Sequence, residues 1–91
     1  MANSFRAACI QLQVGTDTGA NLAKCLTAVG TAAAAGAHLI VLPELCNNPG
    51  PFDTRESAWA VAEPAGGPWA QAMAASAKAR GVYVAYNLLT R

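Results

Sequence analysis

The 91-residue sequence predicts an α/β fold whose main elements follow the order β-α-β-α-β. Strand-like and helix-like segments alternate along the chain, as they do in folds built on parallel strands. Two helix-like segments each end at a glycine, Gly36 and Gly81, directly before an apolar strand. The strand that follows Gly36 is apolar along almost its whole length, which is typical of a strand covered on both faces of a parallel sheet.

The first predicted strand covers residues 5–14, where apolar side chains alternate with two glutamines towards the end of the segment. Residues 15–19 contain two glycines and interrupt this alternation. Asp17 and Thr18 are both suitable N-cap residues, so we expect a helix to begin directly after them.

The first helix is predicted for residues 20–35, where apolar side chains recur at the spacing of one helix face. This apolar line consists of Leu22, Leu26, Val29 and Ala33. Gly36 is expected to end the helix, because glycine adopts the left-handed conformation of a C-terminal cap at little cost. The second strand is then predicted for residues 37–42.

The second half of the chain begins with a loop-rich segment, residues 43–68, which is punctuated by proline and glycine. Within it we expect a short helix over residues 54–62, beginning at a capping box that starts at Asp53. A long helix is predicted for residues 68–80, since proline is favoured at the first helical position. The third strand is predicted for residues 82–86.

The large aromatic side chains and the cysteines are interpreted mainly as core residues. We expect Trp59, Trp69 and Tyr86 to supply the bulk that an alanine-rich core needs. The chain has three cysteines at wide spacing, too few for a disulfide scaffold and without the ligand spacing of a zinc site. Cys9 and Cys25, on the first strand and the first helix, are therefore predicted to be buried.

Composition excludes several classes of function. The net charge is +1 and only 12% of the residues are charged, so no basic surface for nucleic acid or an anionic membrane is expected. No stretch approaches the ~20 apolar residues of a membrane span. The first residues lack the long apolar core of a secretory signal, so we expect a cytoplasmic protein.

Glu44 is the strongest candidate for a catalytic side chain. It follows the apolar second strand, and ligands of α/β sheets bind beyond the carboxyl ends of the strands. A carboxylate beside apolar walls loses part of its hydration, which disfavours its charged form. Such a carboxylate takes up a proton more readily, as a general base must. The alternative is that Glu44 caps a loop or pairs with an arginine.

Four segments of the chain have the order and spacing of one known family. They are residues 6–12 (RAACIQL), 21–22 (NL), 36–45 (GAHLIVLPEL) and 81–84 (GVYV). With these segments the chain resembles the nitrilase superfamily of carbon–nitrogen hydrolases, which includes amidases and N-carbamoyl-amine amidohydrolases. The resemblance extends over essentially the whole chain but only over about the first third of the family's domain.

The resemblance implies an α-β-β-α sandwich with a Glu–Lys–Cys catalytic triad, of which this chain supplies the N-terminal β-α-β-α-β part. Residues 1–91 would then be the N-terminal portion of one domain. Glu44 matches the family's general base, whereas the lysine and the cysteine lie downstream of this chain. The implied substrates are small amides or N-carbamoyl amines, with no metal or organic cofactor, and the full-length protein is expected to form a homo-oligomer.

The loop after Glu44 departs from the family pattern, because the tyrosine that follows in many amidase-like members is absent from residues 47–52. Asn47 and Phe52 are candidates for lining the substrate pocket, with ordinary loop packing as the alternative. Cys46 is better interpreted as a small buried residue than as a substitute nucleophile. The loop leaves the identity of the substrate open.

A different class of function remains possible for the chain as it stands. Without the lysine and the cysteine of the triad, the 91 residues alone are expected to be inactive. The alternative to a hydrolase is therefore a catalytically inactive α/β module that acts only by interacting with a fuller subunit.

Overall fold

The computed structural model describes residues 4–91 and confirms the α/β prediction. Residues 1–3, to which the prediction about a secretory signal partly applies, lie outside the described residues. The elements are β1 (Ala7–Cys9), α1 (Thr18–Ala34), β2 (Leu39–Val41), α2 (Arg55–Val61), α3 (Pro68–Arg80) and β3 (Tyr83–Ala85). No helix within residues 4–91 is both long enough and apolar enough to cross a membrane.

The three strands form one parallel sheet in the order β1-β2-β3, with Ala8, Ile40 and Val84 in register across it. Each strand is three residues long, which is shorter than predicted. Pairing between β1 and β2 ends soon after the hydrogen bond from the Ile10 N–H to the Val41 carbonyl. Pro43 follows two residues later and has no N–H with which to continue the pairing.

Local capping chemistry fixes the ends of α1 and α3. The Asp17 carboxylate accepts a hydrogen bond from the Ala20 N–H at 3.0 Å, which satisfies a free donor in the first turn of α1. Gly36 follows the helix with φ 97°, and Gly81 caps α3 with φ 65°. Pro68 occupies the first turn of α3 as predicted.

The start of α2 differs from the prediction by one residue. Thr54, not Asp53, is the N-cap residue. The Thr54 hydroxyl accepts a hydrogen bond from the Ser57 N–H at 3.0 Å, and the Ser57 hydroxyl accepts one from the Thr54 N–H at 3.2 Å. Two hydroxyl side chains thus form the reciprocal box that the sequence had suggested for Asp53 and Glu56.

The core lies between the sheet and the helices α1 and α3, which contact each other. Ile40, at the centre of β2, is fully buried. The other buried members of this core are Cys25, Val29, Ala32, Ala37, Leu42, Cys46, Trp69 and Met73. Tyr86 packs beside Trp69, with ring centroids 5.7 Å apart, so these two aromatic residues contribute to the core as predicted.

The opposite face of the sheet is open within residues 4–91. Side chains alternate between faces along a strand, so this face carries two registered rows. The rows are Ala7, Leu39 and Tyr83, and Cys9, Val41 and Ala85. Tyr83 is 74% exposed. The expectation that β2 is covered on both faces is therefore wrong for the described residues, because both packed helices lie on the other side.

Two residues predicted to be buried are exposed. Cys9 lies on the open face of the sheet, since its neighbour Ala8 takes the face covered by helices. Trp59 is 58% exposed, because α2 stands away from the core and has no buried residue. The Arg91 guanidinium lies 5.8 Å from the centre of the Trp59 ring instead.

Candidate active site

Glu44 lies at the carboxyl edge of the sheet, three residues beyond the end of β2. The sequence suggested a carboxylate between apolar walls, but Glu44 is exposed. The reason is local: β2 ends at Val41, and residues 44 and 45 form a turn that carries the side chain beyond the sheet into solvent. The predicted position at the strand end is correct, whereas the predicted burial is wrong for residues 4–91.

The turn at Glu44 contains an unusual backbone conformation. Leu45 has φ 47°, in the left-handed region that costs a residue with a side chain ~1–2 kcal/mol. The Leu45 N–H donates to the Asn87 side-chain oxygen at 3.0 Å, and the Cys46 N–H donates to the Asn87 carbonyl at 3.1 Å. The chain just after β3 therefore holds the chain just after Glu44.

Asn47 is fully buried and joins the same two segments. Its side-chain N–H donates to the Leu89 carbonyl at 3.0 Å, and its side-chain oxygen accepts from the Leu89 N–H at 2.9 Å. The side chain keeps one N–H and one oxygen lone pair beyond these two bonds. A contact between Asn47 and a substrate stays a prediction, and its observed role is to fasten the loop.

Asn21, on the first turn of α1, anchors this loop from the other side. Its side-chain amide donates to the Gly15 carbonyl at 2.8 Å and to the Asn47 carbonyl at 2.9 Å. Its side-chain oxygen accepts from the Gly15 N–H at 2.9 Å. Asn21 is fully buried, so three hydrogen bonds replace the water that it loses.

The role of Asn21 was not predicted, because the apolar line predicted for α1 shares only Val29 with the face that is buried. The buried residues of α1 are Asn21, Cys25, Val29 and Ala32. Leu22 and Leu26 are only half-buried at the edge of the core. An asparagine in line with Cys25 and Val29 was the available signal, since a polar side chain on a buried helix face needs partners.

Phe52 is half-buried and its ring lies against Gly50. A Cβ at Gly50 would stand 3.2 Å from the Phe52 ring, and Gly50 has φ 72°. The loop thus needs glycine beneath this ring. Two surface cavities of the described part lie against α2 and α1, and neither is lined by Phe52. Its contact with a substrate stays a prediction.

Cys46 is fully buried two residues beyond Glu44, in keeping with a small core residue rather than an accessible nucleophile. Its thiol lies 3.5 Å from the Asn87 carbonyl and beside the Cys25 thiol. A hydrogen bond from Cys25 lowers the pKa of Cys46. The same hydrogen bond, together with burial, raises the pKa of Cys25 far above its usual range.

Comparison with known proteins gives a family match over nearly the whole chain. The profile described as Carbon-nitrogen hydrolase matches residues 6–91. Hydrolase MT0498 and Hydrolase Rv0480c, from two strains of Mycobacterium tuberculosis (CDC 1551 / Oshkosh and H37Rv), are each 38% identical to the chain over 88 residues. The match covers 94% of this chain and 29% of each relative, so the chain spans less than a third of their length.

Proposed function

Because the chain belongs to the carbon–nitrogen hydrolase family, we propose that it is the first part of an enzyme that hydrolyses small amides or N-carbamoyl amines. The observation that carries the proposal is the family match over residues 6–91, which includes the strand β2 and Glu44 at its carboxyl end. The complete protein, meaning this chain together with the rest of the domain, would supply a lysine and a cysteine to complete the triad.

In the proposed reaction Glu44 is the general base. It takes the proton of the cysteine thiol, and the thiolate attacks the carbonyl carbon of the substrate. The lysine ammonium stabilises the oxyanion of the tetrahedral intermediate. Glu44 returns the proton to the departing ammonia or amine, leaving a thioester. Glu44 then deprotonates a water molecule that attacks the thioester, which releases the acid and regenerates the thiol.

The open face of the sheet supports the proposal that more of the same domain packs against it. A large apolar patch on a protein usually marks a surface that another layer or a partner covers. This face carries Val41, Leu39 and Tyr83. A second sheet on this face would make the α-β-β-α sandwich that the family resemblance implies. The same layer could bring the remaining triad residues to the edge where Glu44 lies.

The reactivity of Cys9 tests this packing. In the 91-residue chain we expect rapid modification of Cys9 by a maleimide, because its thiol is exposed on the open face. In the complete protein we expect protection of Cys9, measured by peptide mass spectrometry after a short pulse. Cys25 and Cys46, which are buried, serve as protected controls in both. Equal labelling of Cys9 in the two proteins would contradict a second layer on this face.

Ammonia release from a panel of small amides and N-carbamoyl amines tests the activity. We expect the complete protein to release ammonia and to lose this activity after treatment with a thiol reagent. The 91-residue chain should release none, because it would lack two of the three catalytic groups. Thiol-dependent turnover by the 91-residue chain would contradict the proposed triad, and no turnover of either substrate class by the complete protein would contradict the proposed function.

A second candidate is an inactive module that docks on a fuller subunit, since the open apolar face that would accept a second layer of the same domain would equally accept another chain. Tyr83 and Cys9 would then be covered by another protein chain rather than by a later part of the same one.

Light scattering on the complete protein tests the predicted homo-oligomer, and a monomer would contradict that prediction. The homo-oligomer and a location in the cytoplasm stay predictions from the sequence.

A further inference from the structure

The conformation of Leu45 is the starting point. Leu45 directly follows Glu44 and has φ 47°, which leucine adopts rarely because its Cβ crowds the backbone. A strained residue persists only where its surroundings hold it, and such residues are concentrated at functional sites. The direction in which the chain leaves Glu44 therefore depends on whatever holds Leu45.

Asn87 is the residue that holds it. Its side-chain oxygen accepts the Leu45 N–H at 3.0 Å, and its backbone carbonyl accepts the Cys46 N–H at 3.1 Å. Asn87 lies two residues beyond the end of β3, the strand next to β2. The turn after Glu44 is thus fastened to the neighbouring strand rather than closed by its own residues.

We propose that Asn87 is a positioning residue for Glu44, because its side chain holds Leu45 in the left-handed turn that directs the carboxylate. The inference rests on the proposed function, in which Glu44 is the general base. Asn87 is itself exposed, so we expect its side chain to act on the position of Glu44 by fixing the shape of the turn and not by filling the core.

The surrounding contacts allow the side chain of Asn87 to be removed without releasing its backbone. Asn47 holds Leu89 through two hydrogen bonds of 3.0 and 2.9 Å, two residues beyond Asn87. The bond between the Cys46 N–H and the Asn87 carbonyl does not involve the Asn87 side chain. Asn87→Ala therefore deletes the hydrogen bond with Leu45 and leaves the other hydrogen bonds between the two segments in place.

The test is steady-state kinetics of the complete protein carrying Asn87→Ala. Without its acceptor, Leu45 can return to a negative φ and displace Glu44. We expect kcat to fall roughly 10- to 100-fold, since small misplacements of catalytic groups have effects of this order. KM should stay within about twofold, because Glu44 acts in the chemical step and not in ground-state binding.

A second substitution separates positioning from general damage. Adding Leu45→Gly to Asn87→Ala should restore a large part of kcat, because glycine adopts a positive φ without strain. Asn48→Ala is the matched control: Asn48 is a buried asparagine of the same loop whose side chain bonds to Thr16 and Gly50 and not to Leu45. We expect it to lower the melting temperature and to preserve kcat.

The possible outcomes distinguish this inference from the proposed function. An active wild type with an inactive Glu44→Gln variant and an unchanged kcat in Asn87→Ala would overturn the positioning role alone. A loss in Asn87→Ala that Leu45→Gly does not relieve, or an equal loss of kcat in Asn48→Ala, would also overturn it. A complete wild-type protein without hydrolase activity would overturn both.

Discussion

Glu44→Gln in the complete protein is expected to lower kcat for ammonia release by about 10²- to 10⁴-fold, the range that general acid–base catalysis contributes. Glutamine has nearly the shape of glutamate but cannot accept a proton at neutral pH. In the proposed reaction the carboxylate is used in both halves, first to deprotonate the thiol and then to activate water. The substitution should therefore slow the formation of the thioester as well as its hydrolysis.

The position of Glu44 makes this substitution a clean test. Because glutamine keeps the shape of glutamate, we expect Glu44→Gln to leave the fold of the complete protein intact, measured by its urea unfolding curve. Glu56→Gln is the matched control, since Glu56 is an exposed glutamate in the first turn of α2. We expect normal kcat for this control. Retained turnover in Glu44→Gln, measured against Glu56→Gln, would remove Glu44 from the mechanism.

The sequence predicted those parts of the fold that depend on short-range chemistry. The helix α3 begins at Pro68 and ends at Arg80, as expected from the proline that starts it and the glycine that follows it. The glycine after α1 was also predicted, and Asp17 was one of the two N-cap candidates, although the helix begins at Thr18, two residues earlier than predicted. Each of these signals acts within one helical turn, so the sequence around it contains all the information needed.

The sequence could not predict which faces are covered. The alternation that defines a strand assigns Ala8 and Cys9 to opposite faces but does not say which face the helices cover. Trp59 was placed in the core on its size, yet its exposure depends on how α2 stands relative to the sheet. The exposure of Glu44 likewise depends on what covers the sheet edge, which no local pattern specifies.

The hydrogen bonds that hold the candidate site also could not be predicted from local sequence patterns. The contact between Asn47 and Leu89 joins residues 42 positions apart, and so does the contact between Leu45 and Asn87. An asparagine in a loop gives no indication of so distant a partner. The motif around Glu44 therefore predicted the candidate base, whereas the hydrogen bonds by which Asn21, Asn47 and Asn87 hold its loop became visible only in the structure.

Asn21→Leu keeps the branching of the asparagine side chain but none of its hydrogen-bonding groups, and it is expected to cause a large loss of stability. It leaves the Asn47 carbonyl without its donor, and it leaves the Gly15 N–H and carbonyl without partners. A buried unpaired group costs about 1–3 kcal/mol. Gly15 is half-buried and can be reached by water, so we expect a total loss of about 2–4 kcal/mol, dominated by Asn47.

Urea unfolding of the complete protein measures this loss, with Thr31→Val as the control on the same helix. Thr31 is exposed, and its hydroxyl bonds only to the Thr27 carbonyl one turn earlier, so its replacement should cost less than about 0.5 kcal/mol. Because Asn21 holds the carbonyl of Asn47, the loop after Glu44 should also loosen. We therefore expect faster amide hydrogen exchange at Leu89, whose N–H the Asn47 side chain accepts. A stability of Asn21→Leu equal to that of Thr31→Val would mean that this asparagine does not anchor the loop.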